Sequence, residues 1–287
     1  MVRQKYTYSI VFNWHGLSMT EIKKVIYTCI TGAYDDACAH VYVDNTWEYV
    51  MFTDNPYLLG MDRYMHWDIR PLQYNKLTNV KNARWHKINA HKLFPEHDIS
   101  LWIDGNIVIM NSDFFQRINK LIKRGDIICI PPHPERRCIY DEAEKIKELK
   151  IDNKNTVNQE MRRLRLTRYP PNNGLNETCI MLRRHNHITI KRMQQKWWRM
   201  VQNYSKRDQL SYNWVAWRCK IKTTPLFETP GEHRQCKELL FVHKRSHNQN
   251  PTDNFNTWVA PRWIVHGMAV FILHSADKKD FINRHSR

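Results

Sequence analysis

Residues 99–109 read ISLWIDGNIVI: five strand-forming residues, a break at Asp104, Gly105 and Asn106, and then a second apolar run. Two readings compete at the break. A carboxylate at the tip of a buried strand, beside a glycine that lets a ligand approach the backbone, is one way to hold a divalent cation. Asp-Gly between apolar runs is also the strongest short hairpin signal. The stretch itself leaves both open, so the decision passes to the segments around it.

Upstream, VIYTCIT (25–31) is a continuous β-branched run ending at Gly32, followed by a strand-like EYVMFTDN (48–55) and a weaker strand near 66–72. A helix is expected from Thr78 to Leu93. Downstream come a helix over 113–123 and a strand over 126–130, stopped by Pro131 and Pro132. Apolar runs bounded by turn residues and alternating with helices predict an α/β fold, a mixed sheet flanked by helices. Ligands in such sheets sit at the carboxyl ends of the strands. Gly32, Asp54 and Asp104 all fall at such ends and should share one rim. The second half is more helical, with helices expected over 140–149, 156–166, 188–204 and 206–218 and a strand over 178–182. The polar stretch 247–256 divides a main domain (25–246) from an appendage (247–287) expected to pack on the body through Trp258, Trp263 and Phe271. Residues 1–24 form an N-terminal extension.

The 287 residues carry 45 Lys plus Arg against 28 Asp plus Glu, a formal charge of +17. That balance favours an anionic partner without choosing among nucleic acid, lipid head groups and nucleotide diphosphates. Seven cysteines, odd in number and without a CxxC pair, argue against a disulfide framework or a structural zinc site and favour a reducing compartment. The short, interrupted apolar stretch at 8–14 does not read as a signal peptide, and 263–273 is too short to span a bilayer. No Walker A, GxSxG or GxGxxG occurs, which removes the commonest phosphate-loop, hydrolase and dinucleotide readings.

Several groups of residues have the chemistry to handle a nucleotide sugar. Asp104 offers a charged oxygen and Asn106 an amide oxygen to Mg²⁺ or Mn²⁺, which would stabilise a departing diphosphate; His243, in LLFVHK, is the third candidate ligand. Lys81, Arg84, Lys87 and His91 recur at helical spacing and read either as a cationic wall for the diphosphate or as a solvated basic face. Thr31, Gly32, Tyr34 and Asp35 lie where a base and ribose would sit. The segment HPERRCIYDEA (133–143) mixes acid, base and phenol, making His133, Arg136 and Tyr140 candidates for the acceptor and Glu142 a catalytic candidate, although Asp141 and Glu142 also suit a helix N-terminus. Glu177 joins the acceptor candidates. Asp208 with Gln209 is the remaining catalytic pair. Ser205 and Asp208 also fit a helix cap, and the residues leave cap and general base both open.

Taken together, VIYTCITGAYDD, the helix residues Arg84, Lys87, His91, Phe94 and Pro95 leading into SLWIDGNI, then HPERRCIYDEA, Gln159, GLNETCIMLRRHN, and WW followed by YSKRDQLSYNWV resemble, in order over 25–217, a family of glycosyltransferase-like domains. That family has a GT-A fold, related to Rossmann folds, and includes plant mucilage-type transferases with bacterial and viral relatives. The resemblance implies sugar transfer from a nucleotide-sugar donor to a glycan or lipid-linked acceptor, with WIDG in place of the DxD motif of other GT-A enzymes. It also implies an acceptor-side role for Asp208 and Gln209. Asn106 departs from the third DxD position, and residues after about 220 match no motif. A cytoplasmic enzyme with peripheral membrane contact is expected. Rival readings are a basic nucleic-acid-binding protein, disfavoured because the charge is spread along the chain without a binding module, and a metal-dependent hydrolase using Asp104.

Overall fold

The computed structural model describes residues 22–243 and the strand at 257–259. Strands β1 (Lys24–Ile30) and β2 (Glu48–Thr53) are followed by a short helix α1 (Pro56–Leu59), β3 (Arg63–Tyr64) and β4 (Trp67–Pro71). Helices α2 (Asn79–Ile88) and α3 (Ala90–Leu93) lead into β5 (Ile99–Ile103) and β6 (Ile107–Ile109), then α4 (Asp113–Arg124) and β7 (Ile128–Ile130). The second half runs α5 (Ile139–Glu148), α6 (Lys154–Leu166), β8 (Ile180–Arg183), α7 (Ile188–Asn203) and α8 (Gln209–Arg218). It closes with β9 (Thr224–Pro225), α9 (Glu232–Gln235), β10 (Leu239–His243) and β11 (Thr257–Val259).

Eight strands form one mixed sheet in the order β3-β4-β2-β1-β5-β8-β7-β9. β1 pairs in parallel with β2 and β5, and β2 with β4, so the carboxyl ends of these four strands share an edge. β8 runs antiparallel to β5 and β7, which puts its amino end on that same edge. The sheet separates two cores, as period-two alternation requires. Val25, Tyr27 and Cys29 of β1 face helices α2 and α5 to α8, whereas Ile26 and Ile30 face α4 and the smaller sheet. Every residue of β5 is buried, the mark of a central strand covered on both faces. This is the α/β class expected, a GT-A-like mixed sheet flanked by helices, and the chain after β7 is the more helical half.

The break after β5 is not a hairpin. β5 is flanked by β1 and β8, while β6 leaves for a second sheet of order β11-β10-β6, pairing antiparallel with β10. Asp104, Gly105 and Asn106 therefore bridge two sheets. Gly105 is needed for closeness, since a Cβ there would meet the Ile30 side chain at 2.8 Å.

The helix expected over 78–93 is two helices. Asn89 (φ −94°, ψ 39°) divides them, its side-chain amide donating back to the Trp85 carbonyl at 3.0 Å and offering the backbone an alternative to helix continuation. Helix α8 starts at Gln209 rather than at 206. α4 ends at Arg124, one residue past its expected bound, where Gly125 takes a left-handed cap. All seven cysteines are free thiols. The stretch 247–256, Trp263 and Phe271 lie outside the described residues, as do residues 1–21. Of the expected appendage, β11 is described, and it pairs in parallel with β10.

Candidate functional site

The rim is built by the strand ends and the start of α2. At the end of β1 the Gly32 amide donates to both oxygens of Asp54, at 2.9 and 3.0 Å, tying together the ends of β1 and β2. Gly32 takes φ +60°, and a Cβ there would lie 2.0 Å from the Asn79 amide nitrogen. Thr31 is spent on structure, its hydroxyl donating to the Asn79 carbonyl at 2.9 Å. Tyr34 is largely exposed, and Asp35 lines a small pocket of about 70 Å³ between the ends of β1 and β2.

Four charged groups meet beneath this rim. Arg84 Nε lies 2.8 Å from Asp208 Oδ1, and Lys87 Nζ lies 2.9 Å from Asp208 Oδ2 and 3.5 Å from Asp104 Oδ1. Thr178 completes the group, accepting from Lys87 at 3.1 Å and donating to Asp208 at 2.8 Å. Burial would raise the Asp208 carboxyl, but Arg84, Lys87 and the Thr178 hydroxyl outweigh it and hold the group well below the usual carboxylate range. Burial likewise opposes the charge on Arg84, and Asp208 and Asp104 reverse the balance. Asp208 is therefore a permanent anion in a network whose two cations and two carboxylates cancel.

Asp208 does occupy the N-cap position of α8, but its side chain makes no cap bond. Its partner in the expected capping pair, Ser205, instead donates to Asp152 at 2.7 Å. Gln209, 6 % exposed, has its Nε2 buried without a hydrogen-bond partner among the described residues. An unmet donor in that position costs free energy unless something else accepts from it.

Asp104 is the accessible member of the group, its side chain 30 % exposed. The Trp102 indole donates to Oδ1 at 2.7 Å, which fixes the carboxylate and leaves Oδ2 without a hydrogen bond among the described residues. Asn106 lies two residues on, its carbonyl accepting from the Val242 amide at 2.8 Å. His243 follows Val242 at the end of β10, so its backbone is carried to the same place; its side chain lies outside the described residues. The accessible Asp104 carboxylate is the oxygen donor that suits a hard cation keeping several waters and taking its remaining ligands from substrate phosphates.

The other candidates fall into separate clusters. Lys81 is not part of the wall: its ammonium donates to the Gln202 and Tyr204 carbonyls at 2.9 and 3.0 Å. His91 sits beyond the helix break, where burial lowers it to about 4. Glu142 accepts from Arg136 Nε at 2.6 Å, with His133 Nε2 at 3.6 Å. His133 Nδ1 accepts from the amides of Glu135 and Arg136, and burial lowers the ring to about 4, so it is neutral near pH 7. Tyr140 donates to the Tyr169 carbonyl at 2.8 Å. Glu177 accepts from His233 Nε2 at 2.7 Å and from Arg234 Nε and Nη2, which overcome burial and keep its carboxyl well below the usual range. With Cys179 these groups converge closely enough for a metal, but both Glu177 oxygens are already engaged and burial pushes the Cys179 thiol well up. The cluster reads as a clasp holding α9 against the start of β8.

Sequence reasoning missed Trp102, Thr178 and Arg234: Trp102 reads as one more apolar residue of β5 although it reaches Asp104 two positions on, and the other two are recruited across the fold. Thr178 lies two residues before a strand and Arg234 in a one-turn helix, and neither carries a pattern of its own.

An α/β sheet whose parallel strands end at a carboxylate rim, backed by a balanced Arg–Lys–Asp network, fits a glycosyltransferase-like domain. The chain belongs to the TOD1/MUCI70, glycosyltransferase-like domain family, whose profile matches residues 16–247. It is 25 % identical over 227 residues to the "Probable hexosyltransferase MUCI70" of Arabidopsis thaliana, covering 75 % of this chain and 38 % of that protein. The chain thus spans well under half the length of this relative. Among solved structures it is similar to the WbbM bifunctional glycosyltransferase in its apo form, with a TM-score of 0.44 and 9 % identity over 77 % of this chain and 41 % of that one.

Proposed function

We propose that this protein transfers a hexose from a nucleotide-sugar donor to a glycan or lipid-linked acceptor, with a divalent ion, Mn²⁺ or Mg²⁺, at Asp104. The observation that carries this reading is the charge balance at the rim. Arg84 and Lys87 are already matched by Asp208 and Asp104. Charge developing on a departing diphosphate therefore needs a further cation, and Asp104 Oδ2 with Asn106 offers it a seat. His243 is the proposed third ligand.

The fixed network does the positioning. Asp208 holds the Arg84 and Lys87 head groups still, so their field at the rim is set before substrate arrives. With both oxygens engaged and its proton affinity depressed, Asp208 is better suited to this role than to proton abstraction. Gln209, with its unmet donor beside the network, is the group we assign to a substrate hydroxyl. Tyr34 and Asp35, at the end of β1, would contact base and ribose. Family membership and the hexosyltransferase name of the plant relative support the reaction class.

No helix among the described residues is long and apolar enough to cross a membrane. The basic excess suits an acceptor presented at an anionic surface, and we place the reaction at the cytoplasmic face of a membrane. The test is a thermal-shift screen of nucleoside-diphosphate hexoses with and without Mn²⁺, followed by mass analysis of products from the stabilising donor. Donor-dependent stabilisation that Mn²⁺ strengthens is expected. Stabilisation by nucleic acid alone, or release of free sugar with no acceptor product, would overturn the reading.

A further inference from the structure

Beside the charged rim lies a groove of about 490 Å³, within the range of small-molecule sites, that none of the rim chemistry uses. His133, Arg137, Asn176, Asn213, Trp217 and Lys222 line it. Resting on the transferase reading above, we propose that this groove binds the acceptor, and that the acceptor is a sugar chain carrying negative charge as carboxylate or phosphate ester.

Its position follows from two chain segments that connect it to the charged network. Asn176 is two residues from Thr178, whose hydroxyl donates to Asp208, a backbone reach of about 7 Å at most. Along α8, Asn213 lies five residues past Asp208, an axial rise of about 7–8 Å. Both routes set the near end of the groove roughly one saccharide unit from the network. Trp217 follows Asn213 by four residues and so continues the same face of the helix away from the rim.

The lining has the chemistry of sugar recognition. Asn176 and Asn213 orient one another, Asn213 accepting from the Asn176 backbone at 3.0 Å and donating to its side-chain oxygen at 2.8 Å. Each keeps further capacity to donate and accept, as neighbouring hydroxyls require. Trp217 is 37 % exposed with its ring braced edge-on by Tyr169, a rigid apolar platform for the carbon face of a pyranose. Charge selects within that class. Arg136 is neutralised by Glu135 and Glu142, but Arg137 and Lys222 are exposed and make no ion pair among the described residues. Among the described residues, no acidic side chain lines the groove.

The experiment titrates the full chain calorimetrically with three short oligosaccharide series of equal length, neutral, carboxylated and phosphorylated, and in parallel with UDP plus Mn²⁺. A charged series should bind at least about tenfold tighter than the neutral one, and whichever charged series wins identifies the group. Trp217→Ala should weaken that binding about tenfold, the scale of a lost aromatic platform. The double charge reversal Arg137→Glu with Lys222→Glu, at exposed positions, should abolish the preference for charge. UDP binding should be unchanged in both variants. Absence of oligosaccharide binding, equal affinity for neutral and charged chains, or an unaltered preference after charge reversal would overturn the groove proposal. Loss of UDP binding by the unmodified protein would instead count against the donor reading, so the two failures are distinct.

Discussion

Lys87 is buried between Asp104 and Asp208, and each neighbour depends on it differently. Lys87→Met leaves Asp208 buried with Arg84 as its remaining cation, and a fold destabilised by about 3 kcal/mol is expected in urea denaturation. Asp104→Ala removes the exposed carboxylate instead. That variant also strips the buried Trp102 indole of its acceptor, at a cost of about 1–3 kcal/mol, so it should melt lower but stay folded, and lose turnover and the stabilisation given by donor with Mn²⁺; an unchanged turnover number in the folded variant would remove the ion from Asp104. A third residue governs pH. Burial pushes Glu160 up to about 8, with the Ser205 amide opposing, and its Oε1 has no hydrogen-bond partner among the described residues. The unfolded chain ionises near the ordinary carboxylate value while the folded one stays protonated, so stability falls as pH rises from that value to about 8. Glu160→Gln should flatten this slope in urea midpoints measured across the interval. Asp208 acts with the opposite sign: its depressed carboxyl contributes stability above the ordinary carboxylate range, lost as acid passes through the folded value.

At the scale of elements, the strands ending at the rim were legible because each is a short β-branched run bounded by turn residues. β1, β2 and β5 fall within a residue or two of their expected bounds. The small sheet was not legible, since β6 has three residues and finds its partner more than a hundred positions away. For the same reason the hairpin reading of Asp104–Asn106 stayed open until the pairing of β6 was known. Helix starts were blurred wherever a polar side chain had a stronger offer from elsewhere: Asp208 sits at a cap position but turns to Lys87 and Arg84. Arg84, Lys87 and Asp104 could be grouped from sequence because one helix and the following strand carry them, whereas Thr178 and Asp208 join only through tertiary packing. The β1–β2 junction yields its own prediction. Gly32→Ala forces a left-handed backbone on a residue with a Cβ and drives that Cβ into Asn79, so a loss of at least about 1–2 kcal/mol in thermal or urea unfolding is expected. Gly125→Ala, with open space around its Cβ, carries only the backbone penalty and serves as the control.

For the whole molecule, two cores on either side of one sheet give the rim a rigid base, and the +17 charge sets how far away an anionic ligand is felt. If donor capture is steered by that field, association rates should fall steeply with added salt while dissociation rates change little, which stopped-flow measurements at several ionic strengths would read. The pairing of β6 with β10 has an effect on how the protein is made. The loop that carries Asp104 is pinned on one side by β5, synthesised early, and on the other by a strand that leaves the ribosome far later. Until Leu239–His243 has emerged, Ile107–Ile109 lacks its strand partner and is held, among the described residues, only at Ile109, by His40, Val41 and Tyr42, so a nascent chain that has already paired β1, β2, β4 and β5 still carries an incompletely pinned loop at Asp104.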